Sequence, residues 1–172
     1  GVGTVVNDDP QLTVRLVPGA SPVRVVLDST LRTPDTARIL DDDASTIVYT
    51  TDRASADRVE ELQSRHVGVR LVPAGAGGVG ISPVLRDLYT VGVRSLLVEG
   101  GAQVITTMLA AGHVDRLIVA VAPTIIGAGT EAVGDLGIAT VASGLRLTNR
   151  SLHVMDDDLL IAWDIETSAV IA

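Results

Sequence analysis

Two glycine clusters offer places where the backbone could approach a phosphate. GAGGVG, Gly75 to Gly80, spells G-x-G-x-x-G, the pattern of a dinucleotide-binding loop. In such a loop the helix starts near the second glycine, so the third lies inside its first turn. Here Ser82 and Pro83 follow the last glycine and read as the cap and first-turn pair of a helix that begins later. A helix already running from Gly77 would put Pro83 in its interior, where proline removes a backbone hydrogen bond. The stretch is therefore read as a glycine-rich connector. LLVEGGAQ, Leu96 to Gln103, is the better cradle: a buried strand ends at Glu99, two glycines turn, and a helix starts with its first amides free. Taken alone, an ordinary tight strand-to-helix turn explains that segment as well.

Other groups sort by the chemistry they could do. Asp8 and Asp9 could divide acid and base work, yet acids beside a proline more often shape a turn, and the run Asp41 to Asp43 reads as a solvated loop. His66, His113 and His153 lack metal-ligand spacing and read as structural. With no cysteine, disulfides, thiolate metal sites and cysteine nucleophiles are excluded. A net charge of −8 with no basic run makes a nucleic-acid surface improbable, so an anionic ligand needs a local site of backbone amides and arginines. Aromatics are 2%, too few for base stacking. Thr50, Thr51 and Arg53 could meet a ribose 2′-phosphate; equally, Arg53 could begin an exposed helix.

These groups need elements to position them. Apolar, β-branched runs at 13–17, 23–28, 46–51, 69–73, 95–100 and 115–123 read as strands. Helical spacing marks ASADRVEELQSRH, SPVLRDLYTVG and GAQVITTMLAAG, the last with Gly112 as a C-terminal cap. Segments 145–154 and 158–165, joined by Asp156 and Asp157, read as a closing antiparallel pair. The expected class is α/β: a mostly parallel central sheet flanked by helices, ending in an antiparallel hairpin. At 172 residues and 47% hydrophobic content, one domain is expected over 1–172. No apolar run is long enough to cross a bilayer and no secretion signal opens the chain, so a soluble, cytoplasmic protein is expected.

The segments arrive in an order that resembles the reductase domain of the bacterial riboflavin-biosynthesis deaminase/reductase, a branch of the dihydrofolate reductase-like fold. GVGTVVNDDPQLTVR (1–15), VVLDSTLRTP (25–34), LLVEGGAQV (96–104) and VDRLIVAVAPTIIGAG (114–129) carry the resemblance, with Arg116 replacing an acid. It implies NADPH as cofactor and reduction of the ribosylamino group of a pyrimidine 5′-phosphate to ribitylamino. The sugar opens to an imine and hydride reaches its C1, a task of positioning rather than of strong bases. It implies cofactor contacts at Thr4, Asp8, Ser29, Gly101, Ala102, Gln103 and Thr107. Leu12, Arg15 and Glu99 fall at substrate positions, Arg15 as a guanidinium fork for the phosphate. No catalytic side chain is assigned. A homodimer and a fused or separate deaminase domain are implied as well. The resemblance places the family's first strand and helix ahead of this chain's opening motif; either they belong to a longer chain, or the domain has lost part of its pocket. A noncatalytic cofactor-binding and dimerisation module, and a dihydrofolate or pterin reductase, remain as alternatives.

Overall fold

The computed structural model describes residues 1–166. The chain forms two compact units, the first running from Gly1 to Val104 and the second beginning at Ile105.

The first unit is built on a parallel sheet of β1 (Arg24–Leu27), β2 (Thr46–Thr50) and β3 (Gly68–Leu71), in that order. Alternation along the strands sends side chains to two cores. Val26 and Val48 join Leu62 of α2 (Ala56–Ser64), together with Leu31, Ile39, Leu40 and Val67. Tyr49 faces the other way, where partly buried Val25 and Ile47 also pack, and meets Val84 and Leu88 of α3 (Ile81–Thr90). The Tyr49 hydroxyl donates to Asp87 Oδ2 at 2.6 Å, and Arg70 holds the other carboxylate oxygen at 3.0 Å. Burial first, and then that bond, push the tyrosine pKa up.

Helix α2 is capped by Ser55, whose side chain accepts the Arg58 amide. It ends at His66, which takes a left-handed φ of 62° while the Val67 amide bonds back to Leu62. That histidine is a helix stop. An α-helix not legible in the sequence, α1 (Val2–Asp8), anchors Val2 and Val5 one turn apart in buried positions.

Three expectations need correction. Residues 13–17 form an irregular loop, with the Val14 amide bonded to Ser21 Oγ and Leu16 97% exposed. Residues 95–100 are not in a strand, and Leu97 is 70% exposed. Both runs have strand composition, but a strand exists only where a neighbour completes its ladder, and neither has one among the described residues. The cap of α3 is Gly80 rather than Ser82. A Cβ at Gly80 would sit 2.6 Å from the Pro73 carbonyl oxygen, which excludes any side chain there. Pro83 still falls in the first turn, where its missing amide leaves no bond unmade.

The second unit is an antiparallel sheet of β6 (Arg116–Val121), β7 (Leu147–Met155) and β8 (Asp158–Ile165), ordered β6-β8-β7. The β7–β8 hairpin turns at Asp156, in the left-handed region, as the paired aspartates suggested. β6 thus joins the antiparallel pair. A register shift between Thr148 and Ser151 aims Asn149 at Asp164, which also takes Arg116 at 2.8 Å. These two partners, Asn149 first, lower the Asp164 pKa. Helix α4 (Ala102–Ala110) buries Met108 and Leu109 and stops at Gly112, φ 66°, as its composition predicted.

Candidate functional site

The two glycines before α4 both take left-handed φ, 76° at Gly100 and 78° at Gly101, a conformation that opposes any side chain. They turn the chain so that α4 begins at Ala102, with the Val104 amide bonded back to the Gly101 carbonyl. Thr4 stands over this turn from α1. A Cβ built on Gly101 would lie 3.3 Å from Thr4 Oγ1, and one on Gly100 3.7 Å from it. The N-terminal motif and the E-G-G motif therefore meet, although most of the first unit separates them in sequence.

A second approach involves the segment read as a connector. GAGGVG forms a small hairpin, β4 (Ala74–Gly75) with β5 (Gly78–Val79). A Cβ on Gly78 would sit 3.5 Å from Ser29 Oγ, and Gly77 carbonyl oxygen accepts the Gln103 side-chain amide at 3.2 Å. The hairpin thus lies between the Ser29 turn and the start of α4. The hairpin agrees with the reading against a dinucleotide fingerprint, but the sequence missed this placement; strands of two residues each are too short for a periodic signal.

The DDP segment separates into two roles. Asp9, φ 43°, binds the Arg38 amide at 2.8 Å and its guanidinium at 3.1 Å, holding the 3₁₀ turn Arg38–Leu40. Asp8 is exposed at the end of α1 and makes no side-chain bond among the described residues. Leu12, φ 51°, packs against the first core, and Arg15 bonds Gln11 Oε1 at 2.8 Å in the exposed loop that follows. Glu99 is exposed and Thr107 is partly buried on α4. Among the described residues, no side-chain hydrogen bond or ion pair joins Arg15 or Glu99 to Thr4 or Gly101, and Arg15 bonds Gln11 instead.

The acidic run 41–43 also corrects the sequence reading. Arg24 is 1% exposed and donates to Asp41 Oδ1 at 2.7 Å, to Thr46 Oγ1 at 2.9 Å and to the carbonyls of Gln11, Arg38, Asp41 and Ala44. That guanidinium first of all lowers the Asp41 pKa. Asp41 is a structural partner of a buried charge, not a member of a solvated run. At the carboxyl end of β2, Thr50 and Thr51 are buried and Thr51 Oγ1 donates to Ser29 oxygen at 2.9 Å. Neither hydroxyl can serve a 2′-phosphate from there. Arg53 makes no side-chain bond among the described residues and stays available. No cluster of three or more metal-ligating side chains occurs among the described residues, and no described helix is long and apolar enough to cross a membrane.

The geometry fits a phosphate-bearing cofactor: paired glycines, a helix start and a threonine hydroxyl converge where side chains are absent. Comparison with known proteins points the same way. The chain is 37% identical to the 2,5-diamino-6-ribosylamino-4(3H)-pyrimidinone 5′-phosphate reductase of Methanothermobacter thermautotrophicus, covering 96% of this chain and 78% of that one. It resembles the solved RibD of Acinetobacter baumannii with a TM-score of 0.80 at 26% identity. It also resembles a deaminase/5-amino-6-(5-phosphoribosylamino)uracil reductase of Thermotoga maritima, with a TM-score of 0.73 at 27% identity. It covers 95% of itself in each case, and 45% and 43% of those chains. The RibD C-terminal domain profile matches residues 1–161, and the chain belongs to that family of pyrimidine reductases.

Proposed function

We propose that the chain is a single NADPH-dependent reductase domain of riboflavin biosynthesis, converting the ribosylamino group of 5-amino-6-(5-phosphoribosylamino)uracil to ribitylamino. The observation that carries this reading is the Gly100–Gly101 turn under Thr4 at the start of α4. The relatives' names supply the substrate class. When bound, NADPH supplies the hydride. Gly101, Ala102 and Gln103 form the turn and helix start that lie against its phosphates, with Thr4 beside them. Ser29 and Asp8 make further contacts, and Arg53 selects the 2′-phosphate. Arg15 clamps the substrate phosphate, Glu99 accepts hydrogen bonds from the pyrimidine N–H groups, and Leu12 lines its ring. Holding donor and acceptor in line is worth up to about 7–11 kcal/mol, so no strongly basic side chain is required.

One relative's name carries the pyrimidinone that still has its 2-amino group, so the assay runs both pyrimidines beside dihydrofolate. NADPH oxidation with a ribosylaminopyrimidine phosphate and none with dihydrofolate supports the reading. Turnover of dihydrofolate alone sinks it, and NADPH binding with no turnover of any substrate supports the noncatalytic module instead. The exposed Leu152, Val154 and Met155 on β7 favour a homodimer, which sedimentation of the purified chain tests by mass. A deaminase, fused or separate, supplies the substrate.

A further inference from the structure

The turn after β1 is held more firmly than a connector requires. Asp28 is 0% exposed, and its Oδ2 accepts both the amide and the hydroxyl of Thr33 at 2.8 Å. Leu31 is buried with a left-handed φ of 55°, which a leucine keeps only when its surroundings over-determine it. Those surroundings include Arg58, reaching from α2 to donate to the Thr33 carbonyl at 2.6 Å and the Leu31 carbonyl at 3.4 Å. Asp35 and Glu61 each pair with the same guanidinium at 2.5 Å and fix its plane. The bond to Glu61, the largest cause, raises the Arg58 pKa, so the clamp stays charged at any working pH. Upstream, Thr51 Oγ1 holds the Ser29 carbonyl at 2.9 Å. Ser29 is therefore fixed before and after, with Gly78 against its hydroxyl.

We propose that Arg58 is a positioning residue for cofactor binding, acting through the Ser29–Thr33 turn to aim the Ser29 hydroxyl. This rests on the cofactor role proposed for Ser29. A planar fork suits the task because it bonds two carbonyls of one turn while two acids hold it from behind. A lysine keeps the charge but lacks that fixed fork.

The test measures NADPH affinity by equilibrium titration, together with KM for the pyrimidine, in wild type, Arg58→Met, Arg58→Lys, Ser29→Ala and Ser29→Ala/Arg58→Met. Arg58→Met is expected to weaken NADPH binding about tenfold, with pyrimidine KM within about twofold and Arg58→Lys intermediate. Because Arg58 acts through Ser29, it adds little to the loss already caused by Ser29→Ala. Unchanged NADPH affinity in Arg58→Met, or a full additive loss in the double variant, overturns the proposal. A lowered melting temperature with equal losses for both ligands makes Arg58 merely structural and overturns it as well. Should Arg58→Met not fold, Arg58→Lys carries the same comparison. A wild type that binds no NADPH overturns the cofactor reading itself, whereas wild-type binding with an unaffected Arg58→Met overturns this inference alone.

Discussion

Replacing Gly101 by alanine perturbs the candidate site in two ways. The residue sits at φ 78°, where an L side chain costs about 1–2 kcal/mol. The new Cβ would also lie 3.3 Å from Thr4 Oγ1, closer than an unstrained contact, so Thr4 must move by a few tenths of an ångström. For a chain of this size, the backbone cost corresponds to a fall in melting temperature of about 2–8 °C. The same strain, taken from the conformation that presents the α4 amides, should weaken NADPH binding about tenfold, since 1.4 kcal/mol is a factor of ten. Thermal unfolding and NADPH titration of Gly101→Ala and of Gly101→Ala/Thr4→Ala separate the two causes. The double variant relieves the contact and should recover part of the loss in melting temperature, while the backbone cost remains and the missing Thr4 hydroxyl keeps NADPH binding weak. A Gly101→Ala protein with wild-type melting temperature and affinity would refute the reasoning, because neither the backbone nor Thr4 would then constrain the turn.

Arg24→Met should cost about 3–5 kcal/mol of stability, because it strips the buried donors from four carbonyls, one hydroxyl and one carboxylate; denaturant unfolding reads it, and activity per folded molecule should hold. Asp41 and Asp164 have depressed pKa values, so their contribution to stability is present above the ordinary carboxylate pKa and disappears as pH falls through the lower, folded values. Acid unfolding should therefore begin below about pH 4, and Arg24→Met should flatten that dependence; a wild-type curve without acid loss would contradict it. Arg15→Ala should raise the pyrimidine KM by about 10- to 150-fold and leave the NADPH KM unchanged, from a charge-assisted contact worth roughly 1.5–3 kcal/mol; equal effects on both would displace Arg15 from the phosphate.

What the sequence made legible were elements whose signal is local. β1 and β2 are apolar runs that alternate between two cores, β3 adds Val69 to one of them, and the β7–β8 turn falls on paired aspartates. The Gly112 stop and the two-glycine turn followed from backbone needs that glycine alone meets. What stayed hidden depends on distant partners. Residues 13–17 and 95–100 have strand composition without a strand's neighbour. Helix α1 is made of residues with middling or poor helix propensity and exists because Val2 and Val5 find a core. Arg24 and Asp41 lie in separate runs, so composition could not reveal a buried charge and its partner. Within the site, the motifs named Thr4, Gly101 and Ser29, but the roles of Gly77 and Gly78 in the hairpin and of Asp28, Thr51 and Arg58 around Ser29 required the fold.

The most direct measurement supplies NADPH carrying deuterium at C4 of the nicotinamide, in each stereochemical form, with 5-amino-6-(5-phosphoribosylamino)uracil, and locates the label in the product by mass spectrometry. The account predicts a ribitylamino product with deuterium at C1 from one of the two forms. A product without label from either form, or oxidation of NADPH that leaves the ribosylamino group intact, would contradict it.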